Sequence, residues 1–367
     1  MINLTDYNEK LRRAHGFMEQ HGYEYLMLMR RDNFAWLTCG GDSKVFRSSE
    51  YGMGILLVGY QDVRFVAQYM DADRIYDDEL CGLGIEKISL MWYEPSPVEK
   101  AVEMTAGKRA VADFDPYQTN VEQKLQQIYA LHYPLTESET AAYREYGQLC
   151  DRMLFDIACR IKPGMTEHEI EAEILYDYAR ENMPVKVLLV SSDERVDKYR
   201  HPLASGKKAQ KRVFLHPAAE KRGLHFNITR TLCFGEAPRD VLEKQELLNL
   251  CEAQAMAMCR PGVHMMDILA ERKRIFSEFG GADEWRFHYP GAVSGYQIGS
   301  AQPFVENRMI ENGMPFDFFV TVKGAKVEEM CLSGVDGGIN LTAAGHWPVR
   351  VYRYDGQEYQ LPVIMQL

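Results

Sequence analysis

Four stretches of this 367-residue chain hold side chains able to do acid–base, coordinating or substrate-binding chemistry. The first follows the apolar run VKVLLVSS, where the polar loop DERVDKYRHPLASGKK carries His201 beside a proline. A neutral imidazole, with an ordinary pKa of about 6.5, can take and return a proton near neutral pH, and loops at strand ends are where such groups are displayed. The second, VFLHPAAEKRGLHFNITRTLCFG, reads as a hairpin. Strict alternation sends Leu224, Phe226, Ile228, Leu232 and Phe234 to one face, and His225, Asn227, Thr229 and Thr231 to the other. That polar face is either the solvated side of an antiparallel sheet or, if helices cover the apolar side, the floor of a cup. The third, EWRFHYPGAVSGYQIG, sets His288 and Tyr296 around a glycine-rich turn at 291–299, which lets backbone approach a ligand closely. The fourth, FDFFVTVKGAKVEEMCLSG, reads as two strands joined at Lys323-Gly324. Glu328 and Glu329 are adjacent in the second strand and point to opposite faces, so at most one lines any given pocket.

The elements that must position these groups fall into two domains, with a boundary expected near residue 135. Before it, YEYLMLM, YGMGILLVG, DVRFVAQ and GKRAVADF are strand-like, while VEKAVEMTA and NVEQKLQQIYALH have helical spacing, an alternation that predicts an α/β layer. HYPLTESET then supplies a proline and a hydroxyl cap for a long helix. Beyond it the chain echoes itself. IACRIKPGMTEHEIEAEI and AMAMCRPGVHMMDILAERK each run helix, basic residue, Pro-Gly, second helix, and each is followed by strands. Two such copies predict a duplicated domain with a pseudo-twofold axis and a site on the sheet face opposite the helices.

Composition narrows the function classes. With 46% hydrophobic and 26% charged residues the chain is globular. Its net charge of −11 repels phosphate backbones, which argues against nucleic acid as a partner. The amino terminus MINLTDYNEKLRR lacks a signal-peptide apolar stretch, and no apolar run is long enough to span a membrane, so a cytoplasmic location is expected. The eight cysteines include no CxxC pair and are expected to be reduced and mostly buried.

The order of these motifs resembles the creatinase, prolidase and aminopeptidase P superfamily. The helix start PGMTEHEIEAEI, the histidine after the next strand, the hairpin ending in NITRTLCFG, the glycine turn after a histidine, and the late strand with Glu all fall in family order. The likeness covers about 136–346, and RRDNFAWLTCGG resembles the creatinase-type amino-terminal domain. The resemblance implies an amino-terminal α/β domain over 1–135 and an α+β pita-bread domain over 136–367. In metal-dependent members two Asp, one His and two Glu hold two divalent metals. Here the matching positions carry His216, Asn227, Ala292, Phe319 and Glu328, with Asp317 the only nearby acidic substitute in its strand. One ligand of five is unchanged, so no cofactor is expected beyond at most one adventitious divalent metal.

What the resemblance then implies is creatinase-like hydrolysis of a C–N bond in a small molecule or short peptide, without metal. His201 is the expected general base and acid, with His288 beside it and Glu328 holding a cationic group. His216, Asn227, Tyr296 and Arg230 are expected to position the substrate. Two alternatives stand beside this reading: a catalytically silent protein that uses the cup for ligand or protein binding, and an Xaa-Pro dipeptidase or aminopeptidase with an altered metal site. Family members commonly form homodimers, which is expected here, with Arg30, Arg31 and Trp36 as candidate contributors across the interface.

Overall fold

The computed structural model describes residues 3–114, 121–279, 281–300 and 306–367. The chain divides into two compact units, Met1–Tyr133 with Arg222–Leu224, and Pro134–Lys221 with His225–Leu367.

In the first unit the strand-like runs become β1 (Tyr25–Arg30), β2 (Tyr51–Val58), β3 (Val63–Gln68), β4 (Glu86–Leu90), β5 (Ala110–Ala112) and β6 (Glu122–Gln123). They form one mixed sheet in the order β4-β3-β2-β1-β5-β6. The helices are α1 (Leu4–His21), α2 (Arg31–Leu37), α3 (Tyr69–Ile75), α4 (Pro97–Met104) and α5 (Leu125–Tyr129). Ser96 caps α4 in a reciprocal box with Glu99, which turns Val98 and Ala101 onto Met27, Ile55 and Leu57 of the sheet. The Asp113 carboxylate accepts the backbone N–H groups of Met29 and Arg30 and the Asn33 amide, fixing the junction of β1 and α2. Arg30 pairs with Asp32 and Glu50, Arg31 pairs with Asp42, and Trp36 is fully buried, so all three are engaged inside this unit.

The second unit repeats one pattern. In the first copy, α6 (Glu137–Arg160) and α7 (Glu167–Arg180) precede β7 (Val185–Ser192), the short α8 (Glu194–Lys198), β8 (Arg212–Lys221), β9 (Leu224–Asn227) and β10 (Arg230–Cys233). In the second, α9 (Arg239–Met258) and α10 (Met265–Glu278) precede β11 (Ala292–Val293), β12 (Pro315–Val322), β13 (Ala325–Leu332) and β14 (Ile339–Asn340). The hairpin β15 (Val349–Tyr354) and β16 (Gln357–Pro362) follows, and β17 (Met365–Gln366) closes the first sheet beside β10. The sheets run β17-β10-β8-β7, with β9 on β8, and β11-β12-β13-β14.

The duplication extends to single hydrogen bonds. Gly164 and Gly262, in the two Pro-Gly turns, have φ of 94° and 87°, values that a side chain would strain. Gly164 N–H donates to Ala209 and Gly262 N–H to Ile310, while Ala209 and Ile310 donate back to Met165 and Val263. Thr166 then caps α7 through Glu169, and His264 caps α10 through Asp267.

The helices cover one face of each sheet. Leu247, Leu248 and Cys251 of α9 and Ile275 and Phe276 of α10 pack on Val320, Val322 and Val327. Each such side chain contributes roughly 1.5–3 kcal/mol by leaving water. With that face spent on the core, the opposite face of β12 and β13 carries the polar groups. The hairpin departs from strict alternation. A break at Ile228 and Thr229 separates β9 from β10, and apart from the half-buried Thr231 its predicted polar side is buried rather than solvated. All eight cysteines are free; five are buried, Cys39 is half-buried, and Cys81 and Cys159 are exposed.

Candidate active site

The pleat of β12 and β13 selects the residues that meet. In this antiparallel pair Phe319 lies opposite Glu328, Thr321 opposite Lys326 and Asp317 opposite Met330. Directly opposed residues share a face, so Asp317, Phe319, Lys326 and Glu328 point together, away from the valines under α9 and α10. Glu328 is 2% exposed, and its Oε2 collects three donors. Lys326 Nζ forms a very short ion pair with it, His216 Nδ1 of β8 lies at 3.1 Å, and the Thr229 hydroxyl donates from 3.3 Å. Burial works against the Glu328 charge, but His216 and the Lys326 ammonium outweigh it and hold the carboxyl below its ordinary range. Burial pulls the His216 imidazole below its usual value, so it is neutral at pH 7 with its Nδ1 proton shared between Glu328 and Thr229 Oγ1.

Asn227, at the end of β9, donates from Nδ2 to Asp317 Oδ2 at 2.5 Å and to the Ile298 carbonyl at 2.9 Å. Burial and the nearby Glu328 charge push the Asp317 carboxyl well above its ordinary value. The two acidic side chains are thus pushed in opposite directions by their surroundings.

At the mouth, His201 Nε2 and His288 Nε2 are 3.0 Å apart, with the rings edge-on. The geometry assigns the tautomers. His288 Nδ1 lies 3.3 Å from the Tyr289 carbonyl, which can only accept, so that nitrogen carries the proton. His288 Nε2 then accepts from His201 Nε2–H, and the lone pair of His201 remains on Nδ1. Burial and the Lys326 charge push His288 down to about 4, and the same two causes lower His201, so both rings are neutral at pH 7. The His288 ring stands 5.0 Å from Phe319 edge-to-face, and the Lys326 ammonium lies 5.7 Å from the centre of that same ring. Phe319 thus neighbours both the histidine pair and the buried ion cluster.

A model of metallopeptidase family M24 matches residues 141–332, just over half of the chain. The chain belongs to that family. Among curated proteins, the probable dipeptidase PepE of Mycobacterium bovis is 24% identical over 221 residues, which is 57% of this chain and 58% of that protein. The chain therefore spans less than two thirds of the length of the curated relatives it matches. Among solved structures, dipeptidase PepE from Mycobacterium ulcerans superposes with a TM-score of 0.78 at 17% identity, covering 100% of this chain and 99% of the other. Xaa-Pro dipeptidase from Bacillus anthracis superposes with a TM-score of 0.76 at 16% identity, covering 98% of this chain and 100% of the other. At those identities the likeness is one of fold, and the fold is the pita-bread arrangement with its amino-terminal α/β layer.

The M24 two-metal centre does not fit these residues. Ala292 and Phe319 bring no donor atom to their positions, and the Asn227 amide donates to Asp317 and Ile298. On the one matching carboxylate, Glu328, an ammonium already sits where a dication would be attracted. Among the described residues, no three of His, Cys, Asp and Glu gather into a group that could hold a metal.

Of the residues singled out in the sequence, His201, His288, His216, Asn227 and Glu328 come together. Three placements differ from expectation. Arg230 is buried on the far side, where it pairs with Glu329 and Asp151 and donates to the Thr342 carbonyl, so it cannot touch a substrate in the cup. Glu329 follows it there because it faces opposite to Glu328. Tyr296 is buried with its hydroxyl donating to Glu139 at 2.6 Å, at the start of α6. Glu328 is in the site, and its Oε2 already takes Lys326, His216 and Thr229. Lys326 was not singled out, although its place two residues before Glu328 in a strand puts both on one face. Thr229 belonged to the polar side of the hairpin, and its contact with Glu328 needed the fold.

Proposed function

We propose that this M24 chain hydrolyses a C–N bond in a dipeptide-sized or smaller amide, with His201 as general base and acid and without the family's dinuclear centre. The observation that carries this reading is the His201–His288 pair, which leaves the His201 Nδ1 lone pair available beside a buried, charge-balanced cluster. In the proposed reaction His201 Nδ1 takes a proton from water as the water oxygen bonds to the carbonyl carbon. The tetrahedral oxyanion collapses, the C–N bond breaks, and His201 returns the proton to the departing nitrogen. The products are a carboxylic acid and an amine. His288 orients the His201 ring, and Asp317 and Asn227 shape the floor.

A second reading, a dipeptidase with an altered metal site, is favoured by the family match and by the dipeptidase named among the relatives. The two are separated by turnover of a dipeptide and N-acyl amino acid panel in the presence and absence of chelator. The proposal expects chelator-insensitive turnover that His201→Ala lowers by roughly 10²–10⁴-fold, the usual worth of a general base. Turnover abolished by chelator and restored by Mn²⁺ or Co²⁺ would favour the second reading, and full turnover in His201→Ala would sink the first. A silent binder would show ligand-induced stabilisation with no turnover. The same proposal takes the protein to be a cytoplasmic homodimer acting on a small molecule or short peptide and not on nucleic acid, with oligomeric state measurable by light scattering.

A further inference from the structure

We infer that the Lys326 ammonium is the electrophilic group of this site, a side-chain cation in the place of the family's divalent ions, and that it selects amides bearing a carboxylate over amides bearing an amine. The inference rests on the hydrolase reading above and names its substrate class.

Three observations converge. Lys326 and Glu328 are 7% and 2% exposed, and their pairing is set by the pleat of β13 rather than by flexible side chains meeting at a surface. Glu328 Oε2 takes its other donors from His216 and Thr229, so this oxygen is filled from within the protein. Phe319, the residue directly opposite Glu328, presents its ring to the ammonium from one side and to His288 from the other. An ammonium has three N–H donors, and Glu328 is its one hydrogen-bonding partner among the described residues. Two donors are therefore left on a preorganised, largely water-excluded cation that shares the Phe319 ring with His288, the partner of His201, and such donors are what the oxyanion of an amide hydrolysis needs.

Charge balance points the same way. In the metal-dependent set the carboxylates offset the charge of the two dications. Here His216, Asn227 and Phe319 replace three of those carboxylates, and one lysine balances the one that remains. A substrate amine would meet the Lys326 ammonium, and the Glu328 oxygen that holds that ammonium already has three donors. A substrate carboxylate or developing oxyanion would meet two open N–H groups.

The test is binding by the full-length protein, measured by isothermal titration with N-acetylglycine (an anionic amide) and glycinamide (a cationic one). N-acetylglycine is expected to bind wild type at least 10-fold more tightly than glycinamide. Lys326→Met should weaken it at least 10-fold, and Lys326→Arg should retain most of it. Because Lys326→Met leaves Glu328 buried without a counter-charge, the double variant Lys326→Met/Glu328→Gln keeps the comparison valid if the single variant fails to fold. Preference for glycinamide, N-acetylglycine binding unchanged in the double variant, or no binding of either probe to wild type would each overturn the inference. None of these outcomes depends on turnover, so the hydrolase reading stands or falls separately on His201→Ala kinetics.

Discussion

At the scale of single residues, the site depends on two neutral histidines and one buried ion pair, and each has a pH signature. His201 lies below its ordinary value because of burial and the Lys326 charge, so its base form persists through pH 7. We expect kcat/KM to stay flat from pH 8 to 7 and to fall only below about 6.5, the unperturbed imidazole value. An acid limb centred above 7 would contradict the assignment. His288 acts through His201, so His288→Ala should lower kcat less than His201→Ala does and shift the acid limb, whereas a purely structural role would leave the limb in place. The sign for stability follows from the same depression. With a folded value of about 4 against about 6.5 unfolded, His288 takes up a proton more readily in the unfolded chain. Its contribution is present above about pH 6.5 and is lost as pH falls towards 4. His288→Gln should flatten that part of the stability–pH curve measured by urea denaturation.

At the scale of elements, much was legible because the signals were local. Pro163-Gly164 and Pro261-Gly262 mark turns that only a left-handed glycine completes, and Thr166 with Glu169 is a capping box readable from spacing alone. Thr166→Ala should cost ~1 kcal/mol, seen as a lower urea midpoint with unchanged slope. What the sequence did not reveal was cross-strand. Lys326 acquires its meaning from the pairing of β13 with β12, which sets Phe319 across from Glu328 and Thr321 across from Lys326, and that register is a property of the assembled sheet. Arg230 sits in the most family-like string of the chain, yet the break at Ile228 and Thr229 turns it to the helix side. There it is a buried cation between Glu329 and Asp151. Removing it strands two carboxylates, so Arg230→Ala should destabilise the second unit by ~3–5 kcal/mol, whereas a substrate-binding role would leave stability nearly unchanged. Tyr296 was misplaced for a similar reason, since a glycine-rich turn does not disclose which way its side chains point.

At the scale of the whole molecule, the chain keeps the M24 scaffold, and the proposal concerns the chemistry at its centre. The duplicated helix–turn–helix and sheet units still place a histidine at the mouth of the cup and a glutamate at its floor. Between them His216 and Lys326 pair with Glu328, and Asn227 with Asp317, in one buried polar cluster. No helix among the described residues is long and apolar enough to cross a membrane. The central claim is that an internal ammonium replaces the metal charge, and metal content tests it most directly. We expect purified protein, dialysed after incubation with Mn²⁺, Co²⁺ and Zn²⁺, to retain well under one metal per chain by mass spectrometry. Near-stoichiometric metal that chelator removes would contradict the account and return the altered-metal dipeptidase reading to first place.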